Sequence, residues 1–145
     1  VREGTGLVSE RAEAVSLTPI VYRSLKGWKY ELIDPWIHNL PPPLRQSGRL
    51  FETDYLRLTD DTLLVKARYA WDGASGPTVD TANSMFPSLI HDALYQLIRL
   101  GAIPSSLDAT VDRHLYNLLR DEGMGHIRAW YWYHAVLWFS HPRPQ

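Results

Sequence analysis

The sequence has 145 residues, 45% of them hydrophobic, which is enough for one domain with a substantial core. The 15 Lys and Arg residues oppose 16 Asp and Glu residues, so the formal net charge is -1. This balance argues against a nucleic-acid-binding protein, which usually presents a strongly basic face. The absence of cysteine excludes thiol catalysis, cysteine zinc sites and iron–sulfur clusters.

The most apolar segment of the chain, residues 129–139, is too short to predict a transmembrane span. The first residues lead into no apolar stretch of the kind that a secretory signal contains. Together with the lack of cysteine, this favours a cytoplasmic or virion-associated protein. The chain begins at Val1 rather than at methionine, which leaves open whether an earlier segment has been removed.

Strands are predicted in the N-terminal half of the chain. Residues 1–19 mix glycine with charged residues and are predicted to form a loosely ordered arm, before a single domain over 20–145. Aromatic and β-branched residues nearly alternate over 20–34, which predicts one or two strands broken at Gly27. Pro35 ends this run.

A β-hairpin is predicted further along, where residues 49–58 and 62–70 flank the turn 59–61. Alternation in the second strand predicts which of its side chains form the core face. These side chains are Leu63, Val65, Ala67 and Tyr69. The three prolines at 41–43, which precede the hairpin, predict an extended surface connection.

Three helices are predicted after a glycine-containing loop that spans residues 71–81. They cover residues 85–100, 104–123 and 127–140. Asn83 or Ser84 is the predicted N-cap of the first helix, with Pro87 in its first turn. Strands that precede helices in one chain are typical of the α+β class. We therefore predict an N-terminal antiparallel sheet and a packed three-helix unit, in which the first helix pairs with the second.

The first of these helices carries residue types suited to acid–base chemistry. His91 and Tyr95 lie one helical turn apart, so they share a face at the border of the apolar stripe. Histidine can act as a general base because its pKa lies near neutral pH. The adjacent Asp92 points about 100° away on an ideal helix and therefore cannot orient the His91 ring.

A carboxylate that orients His91 must therefore come from another element. Asp108 and Asp112 lie one turn apart on the next helix, flanking its apolar stripe. The short link 101–104 joins the two helices and can bring Asp112 against His91 or Tyr95. The sequence thus predicts that His91 forms a hydrogen bond with Asp112 or Asp108.

The loop before the first helix adds oxygen donors of the kind that Ca²⁺ or Mg²⁺ prefers over zinc. These donors are Asp72, Ser75, Thr78, Asp80 and the carbonyl groups near Gly73 and Gly76. Two interpretations of His91 stay open at this point. It belongs to a functional site, or it is a core histidine whose neighbouring aspartates form ion pairs with arginines.

Predictions for Ser75, the aromatic segment 129–139 and His114 follow from the residues that surround each of them. Ser75 is not predicted to be a nucleophile, because it lacks the glycine spacing of a Gly-x-Ser-x-Gly elbow. The aromatic segment 129–139 is predicted to pack on the core, and the alternative is an exposed platform for lipid or a partner. His114 is predicted to face solvent.

The chain from about Leu50 to the C-terminus resembles an uncharacterised family of tailed-phage and prophage proteins. The resemblance rests on Trp71–Pro77, His91–Tyr95, Asp112, Gly125 and Arg128–Ala129. The function of that family is unknown. The resemblance therefore implies a phage-related origin without supplying an activity.

The segment Gly73–Tyr95 is similar to the calcium loop and active-site helix of secreted phospholipase A₂. There, a glycine-rich loop with a Pro-x-Asp element precedes a His-Asp-x-x-Tyr helix. The resemblance implies that His91 activates water and that Tyr95 and Asp112 hold its ring. The candidate calcium ligands are Asp92, Gly73, Gly76 and Asp72, and the candidate substrate-binding residues are Trp71, Ser75 and Asp80.

Three classes of function are compatible with these features. The first is a Ca²⁺-assisted hydrolase that acts on a lipid or another small ester. The second is a non-catalytic structural domain of a phage, and the third is a module that binds a small molecule or a host protein. All three require His91, Asp92 and Asp112 to lie close together, so the sequence alone does not separate them.

Overall fold

The computed structural model describes residues 20–26, 30–48, 50–73 and 81–140. Within these residues, seven short strands come first and three α-helices follow. This order and the antiparallel pairing of the strands confirm the predicted α+β architecture. The predicted N-terminal arm lies outside the described residues.

The first sheet consists of β1 (Tyr22–Ser24), β2 (Tyr30–Leu32) and β7 (Ala70–Trp71), with β2 in the middle. All its pairs are antiparallel. The prediction of strands over residues 20–34 is confirmed, and the chain forms two of them. Because β7 directly precedes the glycine-containing loop, this sheet fixes the point at which that loop begins.

The second sheet has the strand order β3-β6-β5-β4. Its antiparallel strands are β3 (Trp36–Asn39), β4 (Phe51–Glu52), β5 (Leu56–Leu58) and β6 (Thr62–Val65). The turn at 59–61 joins β5 to β6, as the predicted hairpin requires. Strand β3 is not predicted from the sequence. Its four residues all pair with β6, a strand distant in the chain.

Both predicted hairpin strands, 49–58 and 62–70, are wrong in their length because a turn interrupts each of them. In the first, Thr53 Oγ1 accepts hydrogen bonds from the backbone N–H groups two and three residues on, at 3.2 and 3.0 Å. In the second, Arg68 has a positive φ of 79°. The chain bends there, so Ala67 is only half-buried, whereas the other three predicted core residues are buried.

The prediction of an extended connection at residues 41–43 is wrong, because the chain forms a 3₁₀ helix over Pro42–Leu44. The Leu44 N–H donates to the Pro41 carbonyl oxygen at 2.9 Å. The tight turn carries the Leu44 side chain into the core, where it is fully buried. Burial of a leucine contributes about 1.5–3 kcal/mol, enough to favour the turn over an extended surface segment.

The first helix, α1 (Ala82–Arg99), begins earlier than the predicted Met85. Its N-cap is Thr81, whose backbone N–H donates to Ser84 Oγ at 2.8 Å, as in a capping box. The prediction of Asn83 or Ser84 as the N-cap is therefore wrong, because the helix begins earlier in the chain. Pro87 accordingly lies in the second turn of α1 rather than in its first.

The other two helices are α2 (Asp108–Asp121), preceded by a 3₁₀ turn over Ser105–Leu107, and α3 (His126–Ser140). Their positions confirm the predictions made from the apolar stripes and the glycine that follows α2. Helix α1 packs against α2, and α2 packs against α3. The predicted pairing of the first helix with the second is therefore confirmed.

The strands, α1 and one face of α2 share one hydrophobic core, and a smaller cluster lies between α2 and α3. Helix α3 packs into this smaller cluster with one face. The opposite face exposes Ile127, Trp130 and Tyr131. The segment 129–139 thus combines a packed face with an exposed aromatic face. No helix in the described part of the chain is both long and apolar enough to cross a membrane.

Candidate functional site

The predicted contact between α1 and α2 is present. His91 Nε2 and Asp112 Oδ1 lie 2.8 Å apart, with His91 in the middle of α1 and Asp112 in the second turn of α2. The link between the helices buries Ala102 and Ile103, which draws the two helices together. Both members of the pair are buried, since 6% of His91 and 0% of Asp112 is exposed.

Tyr95 completes the support of the His91 ring. Its hydroxyl group donates to the same Asp112 Oδ1 at 2.8 Å, and its ring meets the His91 ring edge-on at 4.5 Å. Two donors thus converge on one buried carboxylate and stabilise its negative charge. Asp108, the other candidate acid, offers only its backbone carbonyl oxygen to Tyr95, at 3.4 Å.

The hydrogen bond to Asp112 determines which nitrogen of His91 carries a proton. Because the carboxylate accepts, Nε2 is the protonated nitrogen, and Nδ1 holds the lone pair in the neutral ring. Nδ1 lies 3.9 Å from Asp92 Oδ1, which is too long for a hydrogen bond. The adjacent aspartate therefore does not orient the ring, as the helical geometry predicted.

The surroundings of His91 act on its pKa in opposite directions. Burial lowers the pKa, whereas the hydrogen bond with Asp112 and the charge of Asp92 raise it. The net result is a pKa above the ordinary value of 6.5. Deprotonation of His91 therefore requires a higher pH than it does for an exposed histidine.

A small cavity lies beside the His91 ring. Its volume is about 20 Å³, which exceeds the roughly 10–15 Å³ that one water molecule needs. The cavity is lined by Gly73, Ser88, His91, Asp92, Leu115, Trp132 and Val136. The cavity that His91 lines therefore has room for at least one water molecule or for an oxygen-bearing group of a larger ligand.

Two of the candidate metal ligands, Gly73 and Asp92, line this cavity. Asp72 directly precedes the lining residue Gly73 in the chain, so its backbone adjoins the cavity. Four other candidates lie outside the described residues: Ser75, Gly76, Thr78 and Asp80.

The assignment of Trp71 to substrate binding is not supported by its position. Trp71 belongs to β7 and is only 2% exposed, and it does not line the cavity. Its indole N–H donates to Ser88 Oγ at 3.0 Å, which ties the end of the sheet to α1. Trp71 therefore contributes to the site only indirectly, because it binds Ser88 and Ser88 lines the cavity.

The described residues only partly fit a calcium ion. In that part of the chain, no three His, Cys, Asp or Glu side chains converge as a metal-binding group. Asp92, Asp72 and the Gly73 carbonyl are hard oxygen donors of the right type, but Ca²⁺ takes six to eight oxygen ligands. A calcium site would therefore also need donors from residues 74–80.

Sequence reasoning missed Ser88 and Trp132 as cavity residues. Ser88 lies one turn before Asp92 on α1, so the helical period places it on the same side of the helix. Trp132 is buried on the packed face of α3, four residues before Val136. Helix α3 is apolar around most of its circumference, so its sequence pattern does not single out the buried face, and no local signal pairs α3 with His91.

The sequence and the fold were also compared with known proteins. No protein-family model, no curated protein and no solved structure matches the chain. The likeness to a phage family and to phospholipase A₂ therefore stays a prediction from short motifs. The functional argument depends on the geometry of the site.

A pair of histidines joins the second sheet to α2. His38 Nε2 in β3 and His114 Nε2 in α2 lie 2.9 Å apart. The prediction that His114 faces solvent is wrong, because β3 covers this part of α2. The pKa of each ring is lowered to about 4, mainly by burial. Repulsion between protonated rings contributes further, from His114 on His38 and from His91 on His114.

We expect acid to weaken the fold through this pair. Since the folded-state pKa values of His38 and His114 lie near 4, below the ordinary 6.5, the folded state favours neutral rings. Their contribution to stability is complete above pH 6.5 and is lost as the pH falls towards 4. Melting temperatures over this range should fall less steeply in His38→Gln than in the wild type. Equal slopes would contradict the prediction, and His134→Gln, at an exposed position, is the control.

Proposed function

We propose that the protein hydrolyses ester bonds, with His91 as the general base that activates water. One observation carries the proposal: Asp112 binds His91 Nε2, which leaves the Nδ1 lone pair of the neutral ring available, and His91 lines a cavity of about 20 Å³. A buried, oriented imidazole next to room for one water molecule is the arrangement that general-base hydrolysis needs.

The reaction can be written with the residues of the chain alone. His91 Nδ1 takes a proton from water while the oxygen of that water attacks the ester carbonyl carbon. The tetrahedral intermediate then collapses, the bond to the leaving alkoxide breaks, and His91 returns the proton to it. Asp112 stays ionised and stabilises the imidazolium, and Tyr95 fixes the carboxylate.

A lipid ester is the substrate class that we propose. Helix α3 lines the cavity with Trp132 and Val136, and it exposes Trp130 and Tyr131 on its other face. Tryptophan and tyrosine favour the boundary between lipid and water. The test is release of fatty acid from phosphatidylcholine vesicles, with a soluble short-chain ester alongside. A protein that hydrolyses neither substrate would overturn the proposal.

We also propose Ca²⁺ as a cofactor, held by Asp92 with donors from the preceding loop. When bound, the ion would stabilise negative charge on the ester oxygen. Calcium should then raise the free energy of unfolding by about 2.7 kcal/mol at a hundredfold excess over Kd. Thermal melts with and without calcium measure this effect, and Asp92→Asn should abolish it. An equal shift in Asp92→Asn and in the control Asp121→Asn would refute the metal site.

A second candidate function is a non-catalytic phage domain that binds a phage or host protein. The exposed face of α3, with Ile127, Trp130 and Tyr131, favours this function because contiguous apolar surface often marks an interface. In this case His91 and Asp112 only join α1 to α2. An inactive wild type whose association with such a protein is lost in Trp130→Ser would support the second function.

A further inference from the structure

Trp132 presents an unusual donor at the cavity. The residue is only 2% exposed, and its indole Nε1 has no hydrogen-bond partner among the residues that the structure describes. Indole nitrogen can donate but not accept, and a buried donor without an acceptor is costly. Such groups are rare in proteins and call for an explanation, of which a bound ligand is one.

The position of Trp132 points to that explanation. The residue lines the same cavity as His91 and Asp92, and it reaches the cavity from α3, whereas α1 carries both of them. Trp132, which carries the unpartnered donor, and His91 thus line the same small cavity. Asp92 is the carboxylate in the described lining, and when no cation is bound to it, it disfavours a fully anionic ligand over a neutral one.

We infer that Trp132 Nε1–H is the donor that binds a ligand's neutral carbonyl oxygen in this cavity. The inference builds on the proposed hydrolase, in which that oxygen belongs to the ester. As water attacks, the carbonyl oxygen gains negative charge, and its hydrogen bond from the indole becomes stronger. Trp132 is then a catalytic residue that stabilises the oxyanion from a different helix than the one that carries the base.

Substitution of Trp132 separates this role from a structural one. Trp132→Phe removes the N–H group and keeps an aromatic ring, so kcat should fall by about 10²–10³-fold, the usual effect of losing an oxyanion donor. Stability should suffer less than in the matched variant Trp71→Phe. Both tryptophans are 2% exposed, but the Trp71 N–H has a protein acceptor in Ser88. A Trp132→Phe enzyme with unchanged kcat would overturn the inference.

A binding measurement tests the donor without any turnover. The chain has six tryptophans, and the signal that Trp132→Phe removes from a ¹⁵N spectrum identifies the Trp132 indole N–H. Acetamide, a neutral carbonyl compound that resists hydrolysis, should shift this signal more than the signal of the exposed Trp130. If the wild type is inactive but acetamide still shifts the Trp132 signal, the binding site is supported and only the hydrolase proposal fails. No shift of the Trp132 signal would overturn the inference, whatever the activity.

Discussion

We expect His91→Gln to lower the rate of ester hydrolysis by about 10²–10⁴-fold, the usual contribution of a general base. The amide of glutamine is not basic enough to take a proton from water, whereas its N–H group can still donate to Asp112. The loss of stability should therefore stay within roughly 1–3 kcal/mol. Rates of fatty-acid release and melting temperatures, measured on the same preparations, test both parts.

The pH dependence of the rate gives this experiment a second readout. Because the pKa of His91 is raised above 6.5, the rate should increase with pH until it passes this raised value. The same shift has the opposite effect on stability. The protonated His91 ring stabilises the folded state fully below pH 6.5, and this stabilisation is lost as the pH rises through the folded-state pKa of His91. Exposed His134→Gln is the control for both curves. A His91→Gln variant with wild-type rates would show that the hydrolysis occurs elsewhere.

The helices were predictable because their signals are local. Apolar residues at helical spacing and the glycines at 101 and 123, both with positive φ, fix where α1 and α2 end. Strand β3 had no such signal. Its four residues form a strand because β6 pairs with them, and this pairing is set by the tertiary structure.

The central contact of the candidate site was predictable for a related reason. His91 and Tyr95 share a helix face, and the short link to α2 restricts which carboxylate can reach them. The pair of His38 and His114 was not predictable, since 76 positions separate the two residues and no motif connects them. The same holds for Trp132, whose partnership with the cavity depends on how α3 packs on α2. A site that forms between two helices joined by a short link can be inferred from the spacing of residues in the sequence, whereas a site that forms between elements distant in the chain cannot.

Replacing Asp112 should have the largest effect on stability. In Asp112→Ala, the His91 Nε2–H group and the Tyr95 hydroxyl both lose a buried acceptor that lies 2.8 Å away. Removing one partner of a buried ion pair costs about 3–5 kcal/mol, a large part of the roughly 5–15 kcal/mol that stabilises a typical domain. Chemical denaturation measures this loss. The control Asp121→Ala, at the exposed end of α2, should stay within about 0.5 kcal/mol of the wild type.

Asp112→Asn distinguishes a carboxylate that tunes His91 from one that only holds the fold. The amide keeps the shape of the side chain and loses its charge, so more of the stability should survive than in Asp112→Ala. The pKa of His91 should then fall, because burial, which lowers it, is no longer offset by the Asp112 charge. Titration of the His91 ring signals by NMR measures this shift directly. An unchanged His91 pKa in Asp112→Asn would contradict the electrostatic role of Asp112 and, with it, the activation of water by an oriented histidine.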